Sequence, residues 1–138
     1  MTASMTVTLV NDQSEIERLG RLVEAFGEAE GLPPESIFSV NLALDEVVTN
    51  IIRYAHDDDQ REHPIFVRLA LEGGVLTAQV EDDGRAFNPL EAPVPDIEAS
   101  IEERPIGGLG IHLVRSVMSS VEYRREDGRN VLTMQKKL

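Results

Sequence analysis

Glu46 and Asn50 stand four residues apart, so on a helix their side chains occupy neighbouring positions on one face. A carboxylate and an amide held together can orient a water or a hydroxyl and offer oxygen to a divalent cation. Arg53, seven residues beyond Glu46, falls close to it in rotation and suits a phosphate contact or a salt bridge. A second cluster, Glu81-Asp82-Asp83-Gly84, closes an apolar run and is followed by Arg85-Ala86-Phe87-Asn88. A carboxylate fixed at such a strand end accepts a hydrogen bond from an exocyclic amine like that of adenine. Gly84 would let backbone pass close to the base. The third cluster is Ile106-Gly107-Gly108-Leu109-Gly110-Ile111, which leads straight into an apolar helical pattern. Its glycines can turn successive amides inward, and the uncovered N–H groups of a helix start suit phosphate. No Gly-Lys-Ser/Thr follows, so this is not a lysine-bearing phosphate loop. Taken singly, each cluster also fits a plainer role: a solvated polar pair, a charged turn, a glycine-rich connection.

The elements that must position these residues can be read from periodicity. Met5 to Leu9 alternates apolar with threonine and reads as a strand. Asp12 or Ser14 can cap a helix carrying Ile16, Leu19, Val23 and Phe26, which Gly27 to Pro34 interrupts. Ile37, Val40, Leu44, Val47, Ile51 and Tyr54 then recur three or four apart, predicting the longest helix, which holds Glu46 and Asn50. His56 to His63 is charged and reads as a solvated turn. Ile65–Leu71 and Val75–Val80 alternate across Gly73-Gly74 as a hairpin. Residues 88–106 carry Pro89, Pro93, Pro95 and Pro105 and read as an irregular loop with one short helical turn near Ile97 to Ile101. A helix over Ile111 to Met118 follows, then a second hairpin of Val121–Arg124 and Asn130–Gln135. This order predicts an α/β (α+β) two-layer sandwich, a mixed, mainly antiparallel sheet with helices on one face. A doubly wound dinucleotide fold is excluded, because its glycine loop follows the first strand.

Length and composition bound the rest. The 138 residues suit a single domain over 1–138, and an apolar fraction of 41% supplies one core. Asp and Glu number 25 against 13 Lys and Arg, a net charge of −12 that argues against nucleic acid or an anionic membrane as partner. Arg124, Arg125 and Arg129 are the exception, a local basic group. The absence of cysteine excludes disulfides and thiolate metal sites. His56, His63 and His112 are scattered, and Ser119 and Ser120 lack an adjacent histidine base. No apolar run approaches the ~20 residues that span a bilayer. Nor does the sequence begin with a signal segment, so a cytoplasmic location is expected.

In order and spacing, the three clusters together resemble the GHKL-type ATP-binding family shared by histidine kinases, DNA gyrase and the MutL repair protein. The likeness is greatest to its subgroup of bacterial anti-sigma-factor serine/threonine kinases. Leu44-Asp45-Glu46-Val47-Val48-Thr49-Asn50 resembles that family's asparagine box, Asp82-Asp83-Gly84 its Asp-x-Gly box, and Gly108-Leu109-Gly110 its second glycine box. The resemblance implies the Bergerat ATP-binding fold, with ATP and Mg²⁺ as cofactors. It makes Glu46 the general base, Asn50 the magnesium ligand and Asp82 the acceptor for the adenine amine. It assigns Gly107, Gly108, Leu109 and Gly110 to the phosphate lid, with Arg53 and Gly84 beside the nucleotide. The implied reaction is transfer of the γ-phosphate to a serine or threonine of an anti-sigma-factor antagonist. A sigma factor is the second partner it implies, and a homodimer the usual assembly. Two rival expectations use the same residues differently: a nucleotide-gated binding module with little turnover, and a nucleotide-free interaction domain.

Overall fold

A computed structural model describes residues 2–55, 62–91 and 108–138. Strand β1 (Thr2–Val10) leads into helix α1 (Ser14–Ala29). Asp12 Oδ1 accepts the Ser14 backbone N–H and its hydroxyl, each at 2.9 Å, in a turn just ahead of the helix, whose N-cap residue is Gln13. The backbone contact, then the hydroxyl, holds the Asp12 carboxyl below the usual aspartate range. Glu15 is lowered as well, first by the Arg18 guanidinium at 2.8 Å and then by the Val10 N–H at 3.1 Å. Helix α2 (Pro34–Tyr54) has proline in its first turn, where a missing N–H costs nothing, and buries Val40, Ala43, Leu44, Val47 and Val48. Gly27 marks the α1–α2 crossing, since a Cβ there would stand 2.5 Å from Ile37 Cγ1.

The two predicted hairpins form as expected. Strands β2 (Pro64–Glu72) and β3 (Val75–Asp82) turn on Gly73-Gly74. Strands β4 (Ser120–Glu126) and β5 (Arg129–Lys137) turn on Asp127-Gly128. In both pairs the turn residues have positive φ, the geometry of a two-residue hairpin that matches strand twist. Between the hairpins lie a 3-10 turn, Pro89–Glu91, and helix α3 (Gly108–Val117). The helical turn expected near Ile97 to Ile101 and the solvated turn from His56 fall on or beside residues outside those described.

The sheet runs β1-β2-β3-β5-β4, and every ladder is antiparallel. The sequence order suggested a mixed sheet, since β3 and β4 are joined by a helix and run parallel. β5 inserts between them, so that parallel relationship never becomes a ladder.

Register sorts the two faces. One row reads Val7, Val67, Val80, Leu132, Tyr123 across the five strands, and the row beside it reads Leu9, Ile65, Asp82, Asn130, Arg125. The apolar members of this face pack with α1, α2 and α3 into one core. The opposite face carries rows such as Thr6, Arg68, Gln79, Thr133, Glu122, polar throughout. Helices on one face and water on the other give the expected two layers. On the outer face Arg129 pairs with Glu81 at 3.1 Å and lies 5.2 Å over the Phe66 ring, while Arg124 pairs with Glu126. Two of the three arginines in the basic group are therefore committed to acids.

Candidate active site

The second half of α2, the end of β3, the start of α3 and the β4–β5 hairpin line a pocket open to solvent, with about 590 Å³ of empty space including its open mouth. Its walls are largely aliphatic: Val47 and Ile51 from α2, Val80 and Leu132 from the sheet, Ile111 and Val114 from α3. Polar groups converge at two ends. Glu46 and Asn50, both half-buried, line one end, and Asp82 and Asn130 line the other. A long apolar slot with few placed polar groups is the usual form of a small-molecule site. Periodicity explains Glu46 and Asn50: they flank the buried stripe, adjacent to Val47 and Ile51, and so come to the edge of the core.

Asp82 is 4% exposed. Its Oδ2 accepts the Gly84 N–H at 2.9 Å and the Asn130 Nδ2 at 3.3 Å. The reason for glycine at 84 is packing: a Cβ there would stand 2.5 Å from Ala55 Cβ, 2.8 Å from Asp82 Oδ2 and 2.9 Å from the Ala55 carbonyl oxygen. The close approach in this structure is thus to the end of α2, which also accepts the Arg85 N–H through Ala55 O at 3.2 Å. Phe87 and Pro89 continue along the pocket rim, Phe87 being 53% exposed.

At the opposite end, α3 begins at Gly108 and crosses α2 beside Glu46. A Cβ on Gly110 would overlap Glu46 Oε2 and come within 3.0 Å of its Cδ. Glycine at 110 therefore lets the first turn of α3, with its uncovered N–H groups, sit against the carboxylate. Gly108 and Leu109 belong to that turn, and Gly107 lies outside the described residues. Arg53 is not in the aliphatic pocket. It lines an open polar vestibule with Gln13, Glu17 and Thr49, and this space shares Glu46 and Asn50 with the pocket.

Sequence reasoning missed Asn130, Tyr123 and Arg125. Asn130 is 8% exposed and sits directly across from Asp82 in the β3–β5 ladder. Its Oδ1 accepts the Phe87 N–H at 3.3 Å, the Arg125 guanidinium at 3.1 Å and the Tyr123 hydroxyl. Its Nδ2 also donates to the Arg85 carbonyl at 2.8 Å, and Arg125 reaches the Gly84 carbonyl at 2.7 Å. A signal was present: Asn130 shares the alternation of Leu132 and Met134, so it had to face inward, where an amide needs partners.

The site can also be tested for a cation. Among the described residues no group of three or more acidic or histidine side chains could form a metal cage. Asn50 and Glu46 offer two hard oxygen donors at the pocket edge. That set suits Mg²⁺, which is held by one or two protein ligands together with water and substrate phosphates. Among the described residues no helix is long and apolar enough to cross a membrane.

A profile for the histidine kinase-like ATPase domain matches residues 9–136. The chain is 31% identical over 99 residues to serine/threonine-protein kinase BtrW of Bordetella bronchiseptica, covering 70% of this chain and 68% of that protein. It is 30% identical over 106 residues to serine-protein kinase RsbW of Bacillus cereus, covering 74% and 65%. The chain thus spans about two thirds of the length of these relatives. The structure of the RsbU and RsbW domains of Rv1364c from Mycobacterium tuberculosis superposes with a TM-score of 0.72 at 18% identity, over 99% of this chain and 32% of that one. The SiaB-SiaC complex from Pseudomonas aeruginosa gives 0.59 at 18% identity, over 96% and 89%. At such identities the structural likeness speaks to the fold alone, whereas the profile spans almost the whole chain and carries the assignment: the chain belongs to the histidine kinase-like ATPase domain family.

Proposed function

We propose that this chain binds Mg-ATP in the pocket and transfers the γ-phosphoryl group to a serine or threonine of a small antagonist protein, as an anti-sigma regulatory kinase. The observation that carries this reading is the meeting of Glu46, Asn50, Asp82 and the first turn of α3 around one aliphatic pocket. The names of the relatives, serine and serine/threonine protein kinases, support the reaction class. Val47, Ile51, Val80 and Leu132 would sandwich the base, and Asp82 would accept from its 6-amino group. Mg²⁺, held by Asn50 and the nucleotide phosphates, would supply charge neutralisation, which a chain of net charge −12 otherwise lacks.

Glu46 takes the part of the base. It lies where the pocket opens into the polar vestibule, so an acceptor hydroxyl from a partner can approach it from Gln13, Glu17, Thr49 and Arg53. There it orients the hydroxyl and receives its proton as the new O–P bond forms and ADP leaves. The N–H groups at the α3 start would donate to the phosphoryl oxygens as charge develops there. Arg53 lies at the mouth, where it would meet the partner or the terminal phosphate. The same reading extends to a sigma factor as a second partner, to a homodimer, and to the cytoplasm as the compartment.

Titration calorimetry with ATP, with and without Mg²⁺, tests the pocket. Wild type should bind with magnesium dependence and Asp82→Asn should not. A magnesium-independent or unchanged profile would remove the reading. Intact-mass measurement of candidate antagonists after incubation with Mg-ATP then separates a kinase from a nucleotide-gated binder, since only the kinase adds a phosphoryl group.

A further inference from the structure

Asn130 lies buried against Asp82, and its amide has a fixed orientation. On one side, two of its partners can only donate: the Phe87 backbone N–H and the Arg125 guanidinium. On the other, two accept: the Asp82 carboxylate and the Arg85 carbonyl. The oxygen must therefore face Arg125 and the nitrogen must face Asp82; the flipped amide would break all four contacts at once. Polarity runs in one direction, from the Arg125 cation through the amide to the Asp82 anion. The Tyr123 hydroxyl and the Arg125 contact to Gly84 O fasten the same corner to the β4–β5 hairpin.

We propose that Asn130, aligned by Arg125, is a positioning and specificity-determining residue: its amide N–H holds Asp82 as a hydrogen-bond acceptor and so selects a 6-amino purine over a 6-oxo purine. This rests on the reading of the pocket as an ATP site. An amide N–H directed at the carboxylate donates to it and so presets it as an acceptor. A 6-amino group donates to it, whereas a 6-oxo group presents a second acceptor, and the mismatch is costly at a carboxylate only 4% exposed. The selectivity thus comes from a residue 48 positions away in the chain, on the strand that pairs with β3.

Asn130→Asp tests the effect, because it keeps the shape and still accepts from Phe87 N–H, Tyr123 and Arg125. It reverses the group that faces Asp82 and the Arg85 carbonyl, from donor to acceptor. Two facing carboxylates share a proton, which equips the corner to donate as well as accept. The measurement is the ratio of ATP to ITP dissociation constants by titration calorimetry, with circular dichroism melting as the check on folding. Wild type should prefer ATP, and in Asn130→Asp the preference should fall by about tenfold or more. A purely structural role would weaken both nucleotides alike and leave the ratio unchanged, and that result in a folded variant overturns the proposal. Should Asn130→Asp fail to fold, Arg125→Gln decides. Its site is on the exposed edge strand, and the ratio should fall by about threefold or more when the amide loses its anchor. An unchanged ratio there also overturns the proposal. If wild type binds neither nucleotide, the ATP-site reading falls first; if it binds ATP selectively and both variants keep that selectivity, only the role of Asn130 falls.

Discussion

Gly110→Ala separates the position of the Glu46 carboxylate from the stability of the fold. The added Cβ would overlap Glu46 Oε2, and the three heavy atoms nearest to it all belong to the Glu46 side chain. The far end of a flexible carboxylate can swing away, so the cost is a rotamer change of about 0.5–1.5 kcal/mol. Alanine in a helix returns up to about 1 kcal/mol relative to glycine. The two nearly cancel, and the melting temperature should move by no more than about 4 °C. Activity should not cancel, because the carboxylate can no longer stand against the α3 start. A displaced general base costs about 10²- to 10⁴-fold in rate. The assay is ADP release from Mg-ATP at saturating nucleotide, paired with ATP affinity by calorimetry and with melting curves. Expected are near-wild-type binding, a near-wild-type melt and a collapsed rate. Because the loss acts through Glu46, the double variant with Glu46→Gln should be scarcely slower than either single variant. Full turnover in Gly110→Ala, or additive losses in the double variant, would refute the idea that α3 fixes the base.

Gly84→Ala is expected to behave oppositely, because its Cβ meets the Ala55 carbonyl oxygen at 2.9 Å and Ala55 Cβ at 2.5 Å, neither on a flexible side chain. Overpacking of this kind costs about 1–3 kcal/mol, read as a lower denaturation midpoint. The Glu15 carboxyl is held low by Arg18 and the Val10 N–H, so its folded pKa lies below its unfolded one. Its stabilisation is then present above about pH 4.3, the ordinary glutamate value, and is lost as pH falls through the folded pKa. Melting temperatures recorded from pH 7 to 3 should show a shallower acid decline in Glu15→Gln than in wild type, and identical slopes would contradict the pairing.

Much of the fold was legible because apolar spacing is a local property. The α2 stripe from Ile37 to Tyr54 needs no tertiary knowledge, and the two turns at Gly73-Gly74 and Asp127-Gly128 demand the positive φ that glycine supplies. Glu46 and Asn50 were likewise legible as neighbours, since helical rotation alone puts them on one face. Their meeting with the α3 start was not, because it depends on a glycine 64 residues later in the chain leaving space for a carboxylate. Arg53 marks the limit of rotational arguments: it continues the Asp45 and Thr49 side of α2 that lines the vestibule, whereas Ile51 and Tyr54, on the neighbouring side, line the pocket.

The Asp82 corner marks a different limit, set by strand order. Alternation says that Asp82 follows Val80 inward and that Asn130 precedes Leu132 inward, both true in the structure. It does not say that β5, the last strand in sequence, inserts between β3 and β4 and brings the two residues opposite each other. Once that order is known, the row Leu9, Ile65, Asp82, Asn130, Arg125 has a physical logic. Under α1 and α2 it is apolar, and toward the β4 edge it turns polar, with Asp82 and Asn130 still buried and Arg125 exposed. Burial of Asp82 then requires donors, and the paired strand supplies them: the Asn130 amide directly, and the Arg125 cation behind it. The carboxylate and the hairpin that aligns it are one feature of the sheet, so substitutions on β4 and β5 should be felt at the Asp82 end of the pocket before they are felt at Glu46.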